Sequence, residues 1–201
     1  MRKAFYVYIL ILCGIPSLSY AEQPLEALRR GIDETIKILV DQQYAEPTRK
    51  KLQQQKLWEV TRKIFDFEEF SRRVLASYWK NFTPRQCKEF VAVFGEFLGK
   101  FYLRKLQEKY SDESVIYLRQ EMIDESKARV EIKVLWRDLE VPVEIRMKKR
   151  RGSWKAYDLH VLGVSAVKNY RAQFKMLLSN ESPQQVIDKL KLKIAQLDGK
   201  S

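Results

Sequence analysis

The chain has 201 residues, a formal net charge of +12 and a hydrophobic content of 45%. This length fits one domain of moderate size, and the apolar content is too high for an intrinsically disordered protein. The longest apolar run, residues 4–15, is shorter than the roughly 20 residues that a membrane-spanning helix needs, which excludes an integral membrane protein.

The N-terminus has the pattern of an export signal. Two cations at residues 2–3 precede the apolar run, and residues 19–21 (Ser-Tyr-Ala) form a small-x-small cleavage site. We therefore expect a signal peptide of residues 1–21 to be removed. The remaining residues 22–201 would form a single domain with a net charge of +10.

Apolar residues spaced three and four apart predict helices in the first part of this domain. The first helix covers residues 25–40, a weaker one follows Pro47, and a third begins around Asp66. A fourth helix, which reaches about residue 110, has the strongest helical pattern of apolar residues.

The fourth helix begins with a capping box formed by Thr83 and Gln86, with Pro84 at the first helical position. Its face is wide and rich in aromatic residues. Gly95 and Gly99 lie one turn apart on this helix and allow two interpretations. They form either a notch for a crossing helix or a space for a ligand beside the helix.

The period of the apolar residues changes from helix to strand after residue 111. Residues 115–122 are expected to form a first strand, and alternation of apolar and polar residues predicts further strands near residues 128–136, 141–147 and 157–161. Such alternation is typical of an antiparallel sheet with one buried and one solvated face.

Two helices close the chain, one beginning at Ser165 and one at Ser182, which has Gln185 as its capping-box partner. The order of helices, four strands and helices predicts an α+β fold. We expect a curved four-stranded antiparallel sheet wrapped by about six helices.

Catalytic residues are scarce in this sequence. His160 is the one histidine, and no nucleophile lies at a recognisable spacing from it. Cys87 lies on the apolar stripe of the fourth helix, where a thiolate is disfavoured. No Cys/His cluster predicts a metal site. An enzyme is therefore less expected than a binding protein.

Basic residues cluster at residues 49–51 and 148–151. The second cluster lies at a predicted hairpin tip, where we expect a solvated turn. The aromatic residues follow the apolar stripes and do not alternate with these cations, so nucleic acid is not an expected partner. An anionic membrane surface or an acidic protein fits the charge better.

The large apolar side chains of the helices and of the sheet face one interior. They form either an ordinary core or a core that stays partly open and holds an apolar ligand. Periodicity alone leaves both interpretations open.

Two segments, residues 64–103 and residues 152–174, closely resemble the MlaC family, also called toluene-tolerance or ABC-transporter auxiliary proteins. The first segment contains Phe-Asp-Phe at residues 65–67, Val74-Leu75, Trp79, Thr83-Pro84-x-Gln86, Phe90 and Tyr102. The second contains Trp154, Tyr157-Asp158, Gly163-Val164-Ser165 and Asn169-Tyr170-Arg171-x-x-Phe174. With the sheet between these segments, the resemblance covers about residues 24–197.

The resemblance implies a soluble periplasmic carrier that shuttles glycerophospholipid between membrane complexes and maintains the lipid asymmetry of the outer membrane. The implied partners are the phospholipid, an inner-membrane ABC transporter with an MCE-domain ring, and an outer-membrane lipoprotein–porin complex. The lipid is cargo, and no cofactor, metal or catalytic residue is implied. We expect a monomer. The alternative function is a ligand-free periplasmic adaptor that docks membrane transport components.

The fold implied by the resemblance places the acyl chains in a cavity between the sheet and the helices. The residues that we expect to line it are those on the facing apolar sides: Phe94, Phe97, Leu98, Phe101, Val130, Ile132, Val134, Val143, Ile145, Leu159, Val161, Val164, Val167, Tyr170 and Phe174. Trp79 and Trp154 are expected to be structural anchors.

Overall fold

The computed structural model describes residues 22–111, 113–137 and 139–199. The predicted signal peptide of residues 1–21 lies outside these ranges. In the described part of the chain there are six α-helices: α1 (Pro24–Val40), α2 (Lys50–Ile64), α3 (Phe67–Leu75), α4 (Pro84–Lys109), α5 (Ala166–Leu178) and α6 (Pro183–Asp198). Short 3₁₀ helices cover Gln42–Tyr44, Pro47–Arg49 and Ala76–Asn81.

Five antiparallel strands form one curved, open sheet within the described ranges, in the order β1 (Ser114–Asp124), β2 (Lys127–Trp136), β3 (Leu139–Arg150), β4 (Ser153–Val161) and β5 (Val164–Ser165). The α+β architecture is thus confirmed. The four predicted strands are present, and β5 is an addition of two residues, too short to show as a periodic pattern. Bulges interrupt the register in the β1–β2 and β3–β4 pairs, and bulges bend the strands that contain them.

The predicted helix starts are confirmed by their hydrogen bonds. The Thr83 hydroxyl accepts from the Gln86 N–H at 3.2 Å, and the Gln86 side chain accepts from the Thr83 N–H at 3.0 Å. The same reciprocal box joins Ser182 and Gln185 at the start of α6. Ser165 accepts from the backbone N–H of residue 168 and caps α5. These caps satisfy amide groups that the helices themselves cannot pair.

Buried apolar residues form two clusters. The helical core joins α3, α4, α5 and α6, with Phe90 and Phe94 at its centre. The sheet core joins one face of β2, β3 and β4 to α1, with Val130 and Ile145 at its centre. Phe65 packs against both cores. None of the helices in the described ranges is both long and apolar enough to cross a membrane.

The two glycines of α4 form a notch that other helices fill. A Cβ at Gly99 would lie 2.7 Å from two ring carbons of Trp58 in α2, and a Cβ at Gly95 would lie 3.4 Å from the ring of Phe67 in α3. The interpretation as a helix-crossing notch is therefore correct. The alternative, a ligand beside these glycines, is wrong because the Trp58 and Phe67 rings occupy the space.

The two glycines are expected to respond in opposite directions to the same substitution. Gly95→Ala should stabilise the protein by up to about 1 kcal/mol, because alanine favours the helix and its methyl group makes an ordinary contact. Gly99→Ala should destabilise it by about 1–2 kcal/mol, because overpacking against Trp58 exceeds that gain. Urea denaturation of both variants measures the difference. Equal stabilisation by both would show that α2 does not cross α4 at Gly99.

Candidate functional site

Of the fifteen residues predicted to line the cavity, twelve are divided between the two cores. Phe94, Leu98, Val167 and Phe174 are buried in the helical core, and Phe97 and Tyr170 pack against it. Val130, Ile132 and Ile145 are buried in the sheet core, and Val134, Val143 and Leu159 pack against it. Phe101 is half-buried, while Val161 and Val164 are exposed. The structure therefore brings together two subsets and leaves three residues outside both cores.

Burial decreases along the apolar face of the sheet. Val130 and Ile145 pair across β2 and β3 and are at most 2% exposed. Two residues further along the face, Val143 is half-buried and pairs with Val161 of β4, which is 44% exposed. Since side chains two residues apart share a face, this is one continuous apolar surface that is covered at one end and open at the other.

The open apolar end of the sheet carries residues that the sequence pattern did not single out. Trp136 and Leu139 face each other at the β2–β3 turn and are 44% and 60% exposed. Leu162, at 67% exposed, lies at the turn after β4, where its N–H donates to the Pro142 carbonyl at 3.1 Å. Leu162 has a positive φ of 51°. Such a backbone is strained for leucine and is often found at functional sites.

Tyr170 connects the helical core to the surface. Its ring packs edge-on against Phe70 and Phe94, and its hydroxyl lies 3.0 Å from the hydroxyl of Tyr102. Burial, together with the hydrogen bond to Tyr102, raises the pKa of Tyr170 well above its ordinary value. The phenol is therefore neutral and acts as an anchor with a polar tip.

The basic hairpin tip at residues 148–151 is not a fully solvated turn, which corrects the expectation from the sequence. Lys148 Nζ lies 3.2 Å from Glu69, and Arg150 Nε lies 3.0 Å from Asp66, both at the start of α3. Burial raises the pKa of Glu69, but hydrogen bonds and charges from Lys148 and Arg73 outweigh this effect and hold it below its ordinary value. Two of the four cations thus attach the hairpin to α3.

His160 belongs to a hydrogen-bonded group that has a structural role. Its Nε2 lies 3.0 Å from Asp158, and the Ser165 hydroxyl donates to the same carboxylate at 2.8 Å while accepting from the first turn of α5. The serine proton is directed to the carboxylate and not to the imidazole, so these residues do not form a nucleophile–base pair.

Burial raises the pKa of the Cys87 thiol, which disfavours a reactive thiolate.

Two further side chains act as structural supports. Trp154 is buried, and its Nε1 donates to the Glu22 carbonyl at 2.9 Å, in agreement with the expected anchor. Arg171 donates from Nε and Nη2 to the Arg73 carbonyl at 2.9 and 2.7 Å, which joins α5 to the end of α3. Within the described ranges, no three His, Cys, Asp or Glu side chains converge to hold a metal ion.

Comparisons with known proteins agree with this arrangement. The family model for MlaC protein matches residues 29–192. The intermembrane phospholipid transport system binding protein MlaC of Haemophilus influenzae is 25% identical over 129 residues, which cover 62% of this chain and 60% of that relative. The chain therefore spans about three fifths of the length of that relative.

A solved structure has the same fold. A phospholipid-binding protein from Ralstonia solanacearum, in complex with a phospholipid, superposes with a TM-score of 0.75 over 88% of this chain and 99% of that one. The two sequences are 20% identical. The likeness shows that the α+β arrangement of helices and curved sheet is shared.

Proposed function

Because the chain belongs to the MlaC family, we propose that it is a phospholipid carrier that holds acyl chains against the apolar face of its sheet. The observation that carries this proposal is the decrease in burial from Val130 and Ile145 to Val143 and Val161. An apolar surface that is covered at one end and open at the other can receive a chain from outside. The names of the relatives, a phospholipid transport binding protein and a phospholipid-bound protein, support the same function.

A lipid carrier needs an apolar site that replaces the lipid's contacts with other lipids, and it needs no covalent chemistry. Each methylene exposed to water costs about 0.8 kcal/mol, so a 16-carbon chain carries on the order of 12 kcal/mol. The site must replace most of this free energy without greatly exceeding it, or the lipid would not be released. The exposed Trp136 and Leu139 at the open end would contact the part of the chain nearest the head group.

We infer that the carrier works in the periplasm, after removal of residues 1–21. There it would shuttle lipid between an inner-membrane ABC transporter with an MCE-domain ring and an outer-membrane lipoprotein–porin complex. This exchange would maintain the lipid asymmetry of the outer membrane. The alternative is an adaptor that docks these components and holds no lipid.

Mass spectrometry of protein exported by a Gram-negative host tests the proposal. Under native conditions we expect a complex heavier than the polypeptide by the mass of one glycerophospholipid. Under denaturing conditions we expect the mass of residues 22–201. A lipid-free native mass would favour the adaptor, and an uncleaved or lipid-modified N-terminus would refute the predicted signal peptide.

A further inference from the structure

A polar cavity lies where α3 and α5 meet strands β3 and β4. Its volume is about 210 Å³, and four of the residues that line it are cations: Arg73, Arg146, Lys168 and Arg171. A water molecule takes about 30 Å³ of liquid volume, so the cavity has room for a tetrahedral oxyanion with part of its hydration shell.

This cavity lies on the other side of the sheet from the proposed acyl-chain site. Arg146 pairs with Asp158 across β3 and β4, and the next pair along the strands is Ile145 with Leu159. Ile145 and Leu159 belong to the sheet core. Since neighbouring side chains in a strand point to opposite faces, Arg146 and Asp158 point away from that core. The polar cavity is therefore separate from the apolar surface.

Asp158 does not neutralise the cations around it by pairing with them. Its carboxylate accepts from the backbone N–H groups of Val167 and Leu159 at 3.0 and 2.9 Å and from the Ser165 hydroxyl at 2.8 Å. It also lies 3.0 Å from His160 Nε2. The hydrogen-bond partners of the buried carboxylate are thus other groups than the four cations.

The cations themselves are only partly paired. Arg73 binds Glu69 and Arg146 binds Glu144, but Arg171 directs two donors to an uncharged carbonyl. Lys168 lies exposed in the first turn of α5, and in the described part of the chain it has no ion pair. A cation in the first turn opposes the helix dipole, and the Asp158 carboxylate, which accepts from the Val167 N–H at the same helix start, offsets part of that cost.

We propose that this cavity is an anion site that binds a phosphate group, with Lys168 and the guanidinium groups of Arg146 and Arg171 as the donors. Arginine and lysine together provide the planar and the point-charge donors that phosphate prefers. The phosphate can come from the free inorganic ion or from a lipid head group at a membrane surface, and the two sources are separable by experiment.

A titration of the mature protein with inorganic phosphate tests the site. Amide NMR shifts are followed at low ionic strength and neutral pH, in a buffer that contains no phosphate before the titration begins. We expect saturable shifts at residues 165–168. Lys168→Gln should raise the dissociation constant about tenfold or more, the loss expected for one charge-assisted hydrogen bond. Lys175→Gln removes the same charge from the same helix, outside the cavity, and should bind phosphate as the wild type does.

Sedimentation with phosphatidylcholine vesicles, with and without phosphatidylglycerol, identifies the source. If Lys168→Gln weakens binding to the anionic vesicles more than Lys175→Gln does, the ligand is a head group; if the two variants bind the vesicles equally, it is the free anion. Shifts that do not saturate in the wild-type protein would overturn the proposed site. Equal phosphate affinities of Lys168→Gln and Lys175→Gln would overturn it as well. The co-purified lipid of Lys168→Gln should be normal, which separates this test from that of the carrier.

Discussion

Phe94→Ala is expected to lower the free energy of unfolding by about 3–5 kcal/mol, because it removes a ring from the centre of the helical core. Phe94 is 0% exposed. Its ring centroid lies 5.7, 5.3, 5.2 and 5.0 Å from those of Phe70, Phe90, Tyr170 and Phe174. Alanine would leave a cavity bounded by four rings that hold one another in place. In a domain of this size we expect the melting temperature to fall by about 10 °C.

Phe101→Ala is the matched control, since it removes the same side chain from the same helix. Phe101 is half-buried, lies outside both cores, and stacks on Phe97 at a centroid distance of 5.9 Å. We expect a loss of about 1 kcal/mol or less, because the substitution leaves a surface depression and no closed cavity. Thermal and urea denaturation measure both variants. If Phe94→Ala were no less stable than Phe101→Ala and had lost lipid, Phe94 would line the lipid site and not the core.

The contrast between these phenylalanines shows which features of the fold the sequence predicts and which it does not. The helical period of α4 and its capping box were sufficient to predict the helix and its apolar face. Alternation was likewise sufficient to predict β2, β3 and β4. Both patterns report which side of an element is apolar, and neither reports what covers that side. Phe94 and Phe101 are therefore equivalent in sequence, although only Phe94 is enclosed by α3 and α5.

Contacts between distant segments account for the remaining differences. The basic tip at residues 148–151 was expected to be solvated because its partners, Asp66 and Glu69, lie about 80 residues earlier in the chain. The sequence left the glycine notch of α4 open to two interpretations, a crossing helix or a ligand, because it does not show that Trp58 of α2 packs against Gly99. The open apolar end of the sheet was missed because alternation places Trp136 and Leu139 on the apolar face but does not report that they are 44% and 60% exposed.

A carboxylate on the half-buried part of the sheet face should separate lipid binding from folding. Val143→Glu is expected to leave the protein folded but reduce its co-purified phospholipid by about tenfold or more. Without lipid, the new carboxylate can reach water past the exposed Val161. With lipid, an acyl chain would strip that water away, and burying an unpaired carboxylate costs several kcal/mol, where about 1.4 kcal/mol already corresponds to a tenfold change in affinity.

Val130→Glu places the same carboxylate on the same face, two residues nearer the covered end. Val130 is 0% exposed and pairs with Ile145, which is 2% exposed, so the charge would have no path to water. We expect this variant to unfold or aggregate, whereas Val143→Ile, which stays apolar, should keep both fold and lipid. Circular dichroism reports folding, and thin-layer chromatography of an organic extract reports lipid. A folded Val143→Glu protein with the lipid content of Val143→Ile would exclude Val143 from the acyl-chain site, because a chain lying on that row of the sheet cannot accommodate a carboxylate without losing affinity.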